Sequence, residues 1–239
     1  YAFASAVLIY FLIRDVPTGH SVSNHSKENL LTSLKAQLSI LKNIRIWPLI
    51  PIMAMGYSSV ASISTLWGGA YLFEVYGLGI VERGEVLFLM ATSSIFGAIG
   101  FAPLDRYFNS RKRVVAVGGW ASLCFFLTLA FYPTLTLTMV TVIFIFIAIF
   151  SGYAMVLLTH IRSFFPDHLI GRGMTLANMI NMLGVGFIQL STGFMMNYFY
   201  DPLAPNVAFQ KVFIFISIML FIALLVYGKS EDSKPLSNL

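Results

Sequence analysis

Long stretches without a charged residue constrain this 239-residue chain more than any other feature of its sequence. A helix needs about 20 apolar residues to cross the hydrocarbon core of a membrane. Five stretches of about that length or more lack Asp, Glu, Lys and Arg: residues 46–73, 86–104, 114–159, 175–200 and 212–228. The whole chain is 10% charged, whereas a soluble domain is about 25% charged. The composition therefore predicts a membrane protein, and it excludes a cytosolic enzyme, a secreted disulfide scaffold and a disordered regulator.

The stretch 114–159 is too long for one crossing, and Tyr132-Pro133-Thr134 offers a break near its middle. Proline is disfavoured inside helices and restricts the residue before it. Splitting the stretch there predicts six spans and an all-α, polytopic membrane helix bundle. The chain opens on apolar residues without an initiator Met, which we expect to be the end of a preceding transmembrane helix. The predicted organisation is that helix end at 1–13, a cytoplasmic linker with a basic amphipathic helix at 14–46, the bundle at 47–228 and a cytoplasmic tail at 229–239.

The positive charges predict how the bundle is oriented. Six crossings place 13 of the 15 Lys and Arg residues on one side, and the other side keeps Arg83 and Lys211. The majority are Arg14, Lys27, Lys35, Lys42, Arg45, Arg106, Arg111, Lys112, Arg113, Arg162, Arg172, Lys229 and Lys234. Because basic loops stay in the cytoplasm, that side and the tail are expected to be cytoplasmic. The expected location is the plasma membrane, which in a bacterium is the inner membrane.

The sequence shows no pattern that indicates catalysis or a cofactor. Cys124 is the single cysteine, which excludes a disulfide and a cysteine-based metal site. The four histidines show no metal-ligand spacing, and no nucleophile lies next to a base. The net charge of +5 is spread over short loops, which does not indicate nucleic acid binding. We therefore expect no enzymatic activity, no cofactor, no metal and no nucleic acid partner.

Two spans carry polar side chains on one face. Within 46–73 these residues lie four, three and four positions apart and cover roughly 60° of arc; within 175–200 they cover about 80°. The first set is Ser58, Ser62, Thr65 and Gly69, flanked by Tyr57 and Trp67, and the second is Asn178, Asn181, Gln189 and Thr192. Hydroxyl and small residues either join membrane helices or line a cavity, and both readings stay open for the first set. Amides cost more to bury in lipid, so the second set favours a water-filled cavity.

Two other spans have few polar residues. Residues 212–228 carry only Ser217 and Tyr227, and 114–132 is similar, so both are expected to face lipid on most sides. No ionisable side chain lies centrally in any span. His160, near the end of a span, is expected to be solvated, and a role in proton coupling is the less favoured alternative.

The loop after the second span carries an ordered pattern of an acid and several bases. It reads Asp105-Arg106-Tyr107-Phe108-Asn109-Ser110-Arg111-Lys112-Arg113. The pattern resembles the signature loop of the major facilitator superfamily, which joins the second and third helices of each six-helix half. Phe101 and Asn109 occupy positions where that family has glycine, and we expect Asn109 to keep the turn because Asn tolerates the left-handed conformation.

Two further segments extend the resemblance over the whole chain. Residues 162–173, with Phe165-Pro166 and Arg172-Gly173, are similar to the segment between the fourth and fifth helices of the family's second half. Arg14-Asp15-Val16-Pro17 looks like the exit from its sixth helix. The resemblance implies a twelve-helix carrier with two six-helix bundles, alternating access and a solute site between the halves. This chain would then be the C-terminal half, and its partners would be the missing N-terminal half, a small-molecule solute and the lipid bilayer.

The resemblance also implies roles for individual residues. The loop containing Asp105 would act as a cytoplasmic latch in the outward-open state. The expected gating residues are Asp105, Arg106, Arg111, Lys112 and Arg172. The expected substrate-path residues are Tyr57, Ser58, Ser62, Thr65, Trp67, Asn178, Asn181 and Gln189. The alternative is a polytopic membrane protein that does not transport, such as a sensor, a channel subunit or a scaffold.

Overall fold

A computed structural model describes residues 40–132 and 134–235 of the chain. The predicted helix end at 1–13 and residues 14–39 of the predicted linker with its amphipathic helix lie outside these residues. Within the described ranges the chain forms six helical spans that are long and apolar enough to cross a membrane, as predicted. They are α1 (Ile44–Tyr76), α2 (Ile80–Tyr107), α3 (Arg111–Phe131), α4 (Leu137–Arg162), α5 (Asp167–Phe199) and α6 (Pro205–Tyr227).

Local signals in the sequence account for the ends of the helices. The break predicted at Pro133 is confirmed, because α3 ends at Phe131 and α4 begins at Leu137, where Thr136 Oγ1 accepts a hydrogen bond from the backbone of Met139. Gly77 ends α1 in the left-handed conformation, with φ of 68°, which costs a residue without Cβ little. These signals use only neighbouring residues, so they could be read before the fold was known.

Close contacts between backbones hold pairs of helices together. Gly97 of α2 lies against the backbone of Ile149 and Gly152 in α4, so that neither glycine has room for a Cβ. Gly184 of α5 lies in the same way against Ala54 and Ser58 of α1. Small residues at these crossings let the helices approach, as expected where lipid gives no hydrophobic drive for association.

The prediction that α6 faces lipid on most sides is wrong. One face of α6 is fully buried against α1, α3 and α5. That face includes Phe209, Val212, Phe213, Ile216, Leu220, Leu224 and Tyr227. The opposite face, with Phe221 and Leu225, is exposed. Because α6 is apolar all round, its composition gave no sign of which face would pack.

The helices α2 and α5 are the least buried of the six described spans. In the most apolar window of each, 17% of residues are buried, compared with 44% to 50% in the other four described spans. The exposed side chains of α5 include Met179, Leu183, Phe187, Leu190 and Phe194. The bundle therefore has two long faces that can contact lipid or another protein.

Four segments meet at one end of the bundle, which we call the basic end: residues 40–45, 102–113, 162–169 and 228–235. Asn43 Nδ2 donates to the carbonyl of Phe164 at 3.2 Å, and Arg45 lies 3.4 Å from Glu231. Lys112 Nζ donates to the carbonyl of Gly228 at 2.7 Å. These contacts place the loops that carry most of the positive charge on the same side of the molecule.

Candidate transport path and basic end

The helix α1 contains a π turn at Ile63–Trp67, which lies in the middle of the predicted polar stripe. The backbone N–H of Gly68 bonds to the carbonyl of Ile63, five residues back, rather than to the residue four back. Thr65 Oγ1 donates to the carbonyl of Ala61 at 2.7 Å beside this turn. Single π turns inside α-helices occur frequently at functional sites. The polar stripe did not predict this turn, although Ser64 and Thr65 supply hydroxyls beside it and Gly68 supplies space.

Two hydrogen bonds between side chains join the π turn to α5. Gln189 Nε2 donates to Thr65 Oγ1 at 3.1 Å, and Trp67 Nε1 donates to Thr192 Oγ1 at 2.8 Å. Thr192 is fully buried, and its hydroxyl donates a hydrogen bond to the carbonyl of Ile188 at 2.6 Å. The structure thus brings together members of the two predicted stripes.

Ser58 and Ser62 occupy a different environment from the rest of the first stripe. Both are fully buried. Ser58 Oγ donates to the carbonyl of Ala54 and lies against Gly184 of α5, and Ser62 Oγ has no hydrogen-bond partner among the described residues. In this conformation Ser58 therefore belongs to a contact between helices, and neither serine faces open space.

A cleft of about 200 Å³ opens between α1, α4 and α5. Tyr57, Asn178 and Asn181 supply its polar groups, and Tyr57 is 46% exposed. The other lining residues are Met53, Ala154, Met155, Leu157, Leu158 and Met182. Flexible methionine side chains with a few placed hydrogen-bonding groups are typical of small-molecule sites.

At the basic end, Asp105 is buried and paired with a base of the same loop. Arg111 Nε lies 3.2 Å from Asp105 Oδ2, and Asp105 is 7% exposed. Asn109 adopts the left-handed conformation with φ of 46°, which confirms that Asn can replace the family's glycine in this turn. Arg106 is exposed, and Arg172 is partly exposed near the start of α5. The charge-assisted bond holds the loop against the first turn of α3.

The segment that follows α6 completes this network, which the sequence analysis did not foresee. Asp232 accepts from Ser110 Oγ at 2.5 Å and from the backbone N–H of Lys112 at 2.9 Å, so it satisfies a free donor at the start of α3. Lys112 Nζ donates to the carbonyls of Gly228 and Ser230. The sequence signal that could have indicated this contact is the acidic pair Glu231-Asp232 between Lys229 and Lys234.

His160 is buried, so the expectation that it is solvated is wrong. Its Nδ1 lies 2.8 Å from the Tyr227 hydroxyl, and its Nε2 lies 3.0 Å from the carbonyl of Glu231. Because a carbonyl only accepts, Nε2 carries a proton and donates to Glu231, and Nδ1 shares a hydrogen bond with the Tyr227 hydroxyl. The ring therefore joins the end of α4 to the end of α6 and to the tail.

Comparisons with known proteins match this chain to a family of sequences and to a solved structure. The sequence profile of the Major Facilitator Superfamily matches residues 1–188. The inward-open structure of the xylose transporter XylE from E. coli matches with a TM-score of 0.62 at 16% identity. That match covers 81% of this chain and 49% of XylE, so this chain spans about half the length of the transporter. No curated protein sequence matches the chain.

Proposed function

This chain belongs to the major facilitator superfamily, and we propose that it is the C-terminal six-helix half of a secondary transporter for a small solute. The partner in that proposal is an N-terminal six-helix half of the same chain, which would cover the open surfaces of the bundle. The match to about half of a solved transporter supports this arrangement. Transport would proceed by alternating access in a plasma membrane, with the basic end in the cytoplasm.

One observation carries the proposal: polar side chains are accessible on helices that are otherwise apolar enough for lipid. Thr65 and Asn178 are exposed, and Tyr57, Asn181 and Gln189 are exposed or partly exposed nearby on α1 and α5. Hydrocarbon offers no hydrogen-bond partner for hydroxyls and amides, so such groups face water or protein. A water-filled path along α1 and α5 satisfies them.

The chemistry of these groups favours a neutral, polar solute. Hydroxyls and amides are uncharged and both donate and accept hydrogen bonds, so they recognise hydroxyl, amide or carbonyl groups of a substrate. The π turn holds two of the donors and acceptors in place through their bonds to α5. In this proposal Ser58 supports the helix contact, Ser62 stays buried, and the accessible members of the two stripes contact solute.

We also propose that the loop with Asp105 acts as a latch at the cytoplasmic end. Its buried pair with Arg111 joins the end of α2 to the start of α3. The contacts of Lys112 with Gly228 and Asp232 join the start of α3 to the end of α6 and to the tail. In this proposal exposed Arg106 and partly exposed Arg172 would also contact the N-terminal half. Opening toward the cytoplasm would require some of these bonds to break and others to form in their place.

Cysteine labelling tests which side chains face water. In a variant that lacks the exposed Cys124, we expect Asn178→Cys and Gln189→Cys to react with a water-soluble maleimide. Ile188→Cys is the control for a buried position, and Phe221→Cys is the control for an apolar exposed face. Neither control should react, because a thiol in protein or lipid does not ionise. If position 188 reacts while 178 and 189 do not, the assignment of the path is wrong.

Flux measurements test transport itself. The full-length protein in proteoliposomes is expected to move at least one member of a panel of neutral solutes that includes xylose. Labelling at position 178 should block that flux, and an excess of the transported solute should slow the labelling. A protein that shows water-accessible positions but moves no solute would favour the sensor, channel-subunit or scaffold alternative.

A further inference from the structure

The helix α3 begins with three consecutive bases, and the structure gives each of them different surroundings. Arg111 pairs with Asp105, and Lys112 binds carbonyls of the tail. Arg113 is exposed, and its side chain has no ion pair or hydrogen bond within residues 40–132 and 134–235. The contacts proposed for transport therefore use the first two bases and leave the third unexplained.

Arg113 lies on the wall of an apolar cleft at the basic end, between α2, α3 and α4. The cleft has a volume of about 410 Å³. Apart from Arg113, its described lining residues are all apolar: Phe101, Leu104, Phe108, Val114, Val117 and Phe150. The site therefore combines a long hydrocarbon surface with one cation.

Phe101 forms part of the aromatic wall of the cleft. Phe101, which occupies a glycine position of the family pattern, packs edge-to-face on Phe150 with ring centroids 6.1 Å apart. The ring also lies against Gly118 of α3. Val117 is 65% exposed and Phe108 is 54% exposed, so the cleft is open along the outside of the bundle. A glycine at position 101 would remove one wall.

We propose that this cleft binds an anionic phospholipid. One acyl chain lies along Phe101, Val117 and Phe150, and the phosphate lies at the Arg113 guanidinium. Three properties favour this occupant over a free anion or a protein segment. The walls are apolar like hydrocarbon, the cleft lies near the end of α2 and the start of α3, where headgroups are expected, and the guanidinium fork fits two phosphate oxygens. Anionic lipids of the cytoplasmic leaflet are also attracted to the surrounding positive charge.

The lipid would contact the loop that carries Asp105. Leu104 and Phe108 flank that acid in sequence and line the cleft. A bound lipid would therefore hold the loop from the membrane side, while Asp105 and Arg111 hold it from within the bundle. This inference requires that the bundle lies in a membrane, and it does not depend on transport.

Native mass spectrometry of the purified full-length protein tests the proposal. Phosphatidylglycerol and phosphatidylcholine with identical acyl chains are added separately, and the retained lipid is measured. The wild-type protein should retain more phosphatidylglycerol. Arg113→Gln should lower that retention by about fivefold, the ratio that corresponds to about 1 kcal/mol for one base near an anionic surface. Arg113→Lys should retain an intermediate amount, because it keeps the charge without the fork.

Two further variants distinguish lipid binding in the cleft from general electrostatic attraction of anionic lipid to the basic end. Lys229→Gln removes one exposed positive charge at the same end and should change retention little. Val117→Trp keeps Arg113 but fills the cleft, and it should lower the retention of both lipids. The proposal is overturned if Lys229→Gln and Arg113→Gln act alike, if Val117→Trp changes nothing, or if inorganic phosphate displaces the lipid. Equal retention of the two lipids by the wild-type protein would also overturn it.

Discussion

Replacing Asp105 with Asn removes the acid from the buried pair at the basic end and leaves its shape unchanged. Arg111 Nε lies 3.2 Å from Asp105 Oδ2, and the two side chains are 16% and 10% exposed respectively. A charge-assisted hydrogen bond contributes about 1.5–3 kcal/mol, and loss of one partner of a fully buried pair costs about 3–5 kcal/mol. Arg111 keeps a hydrogen bond to Ser233 Oγ and some access to solvent, which lowers the cost. We therefore expect Asp105→Asn to destabilise the protein by about 2 kcal/mol.

Intrinsic tryptophan fluorescence during heating, at one fixed scan rate in detergent, measures this effect. A loss of about 2 kcal/mol corresponds to a fall in apparent Tm of roughly 4–8 °C for a chain of this size. Arg106→Gln is the matched control, because Arg106 is an exposed base of the same loop and should change stability by less than about 0.5 kcal/mol. The level of protein inserted in the membrane should not change, since one charge at the interface affects insertion little.

A double-mutant cycle decides whether the pair itself is responsible. Asp105→Asn and Arg111→Gln together should lower Tm by less than the sum of the two single changes, with a coupling of about 1–2 kcal/mol. Additive shifts would refute the energetic role of the pair. Full solute flux in Asp105→Asn would separately refute the proposed latch, whatever the stability of that variant.

Three other substitutions test contacts described above. Gly184→Ala should destabilise by about 1–3 kcal/mol, because the added Cβ overlaps the backbone of α1, whereas Gly186→Ala enters open space and should be neutral or stabilising. Equal changes in Tm would contradict the close packing. Thr192→Val keeps the shape of the side chain but removes the acceptor of Trp67 Nε1, at a cost of about 1–3 kcal/mol. An unchanged emission spectrum in a variant with Trp67 as its single tryptophan would argue against that bond. Asp232→Ala should cost about 1 kcal/mol through the lost cap and speed proteolytic removal of the tail; an unchanged cleavage rate would mean that the cap does not hold the tail.

Several parts of the fold could be read from the sequence because their causes are local. Five uncharged stretches, one of them divided near Pro133, become six spans, since every backbone hydrogen bond in a membrane helix is made within its own segment. The break near Pro133 and the left-handed turn at Asn109 depend on the residues at those positions. Loop charges also predicted that distant segments share one end, and the contacts at the basic end agree with this.

Other parts of the fold could not be predicted from the sequence because they depend on which helix faces pack against each other. The buried face of α6 carries no periodic polar signal, and the partner helices alone decide which side is covered. The division of the first stripe between a helix contact at Ser58 and an open face at Thr65 depends on where Gly184 of α5 lies. A stripe of hydroxyls looks the same in sequence for both uses.

The sequence by itself determined a six-span helical bundle, its breaks and the grouping of its charged loops. Hydropathy and proline act over short distances, and successive crossings place alternate loops on the same side. Tertiary structure alone decided the π turn with its bonds to α5, the burial of His160 and the docking of Asp232 on the start of α3. The hydrogen bond from Ser110 to Asp232 joins residues 122 positions apart, and that from Gln189 to Thr65 joins residues 124 apart. Such bonds exist because folding brings the two groups within reach, and nothing in either segment alone specifies the partner.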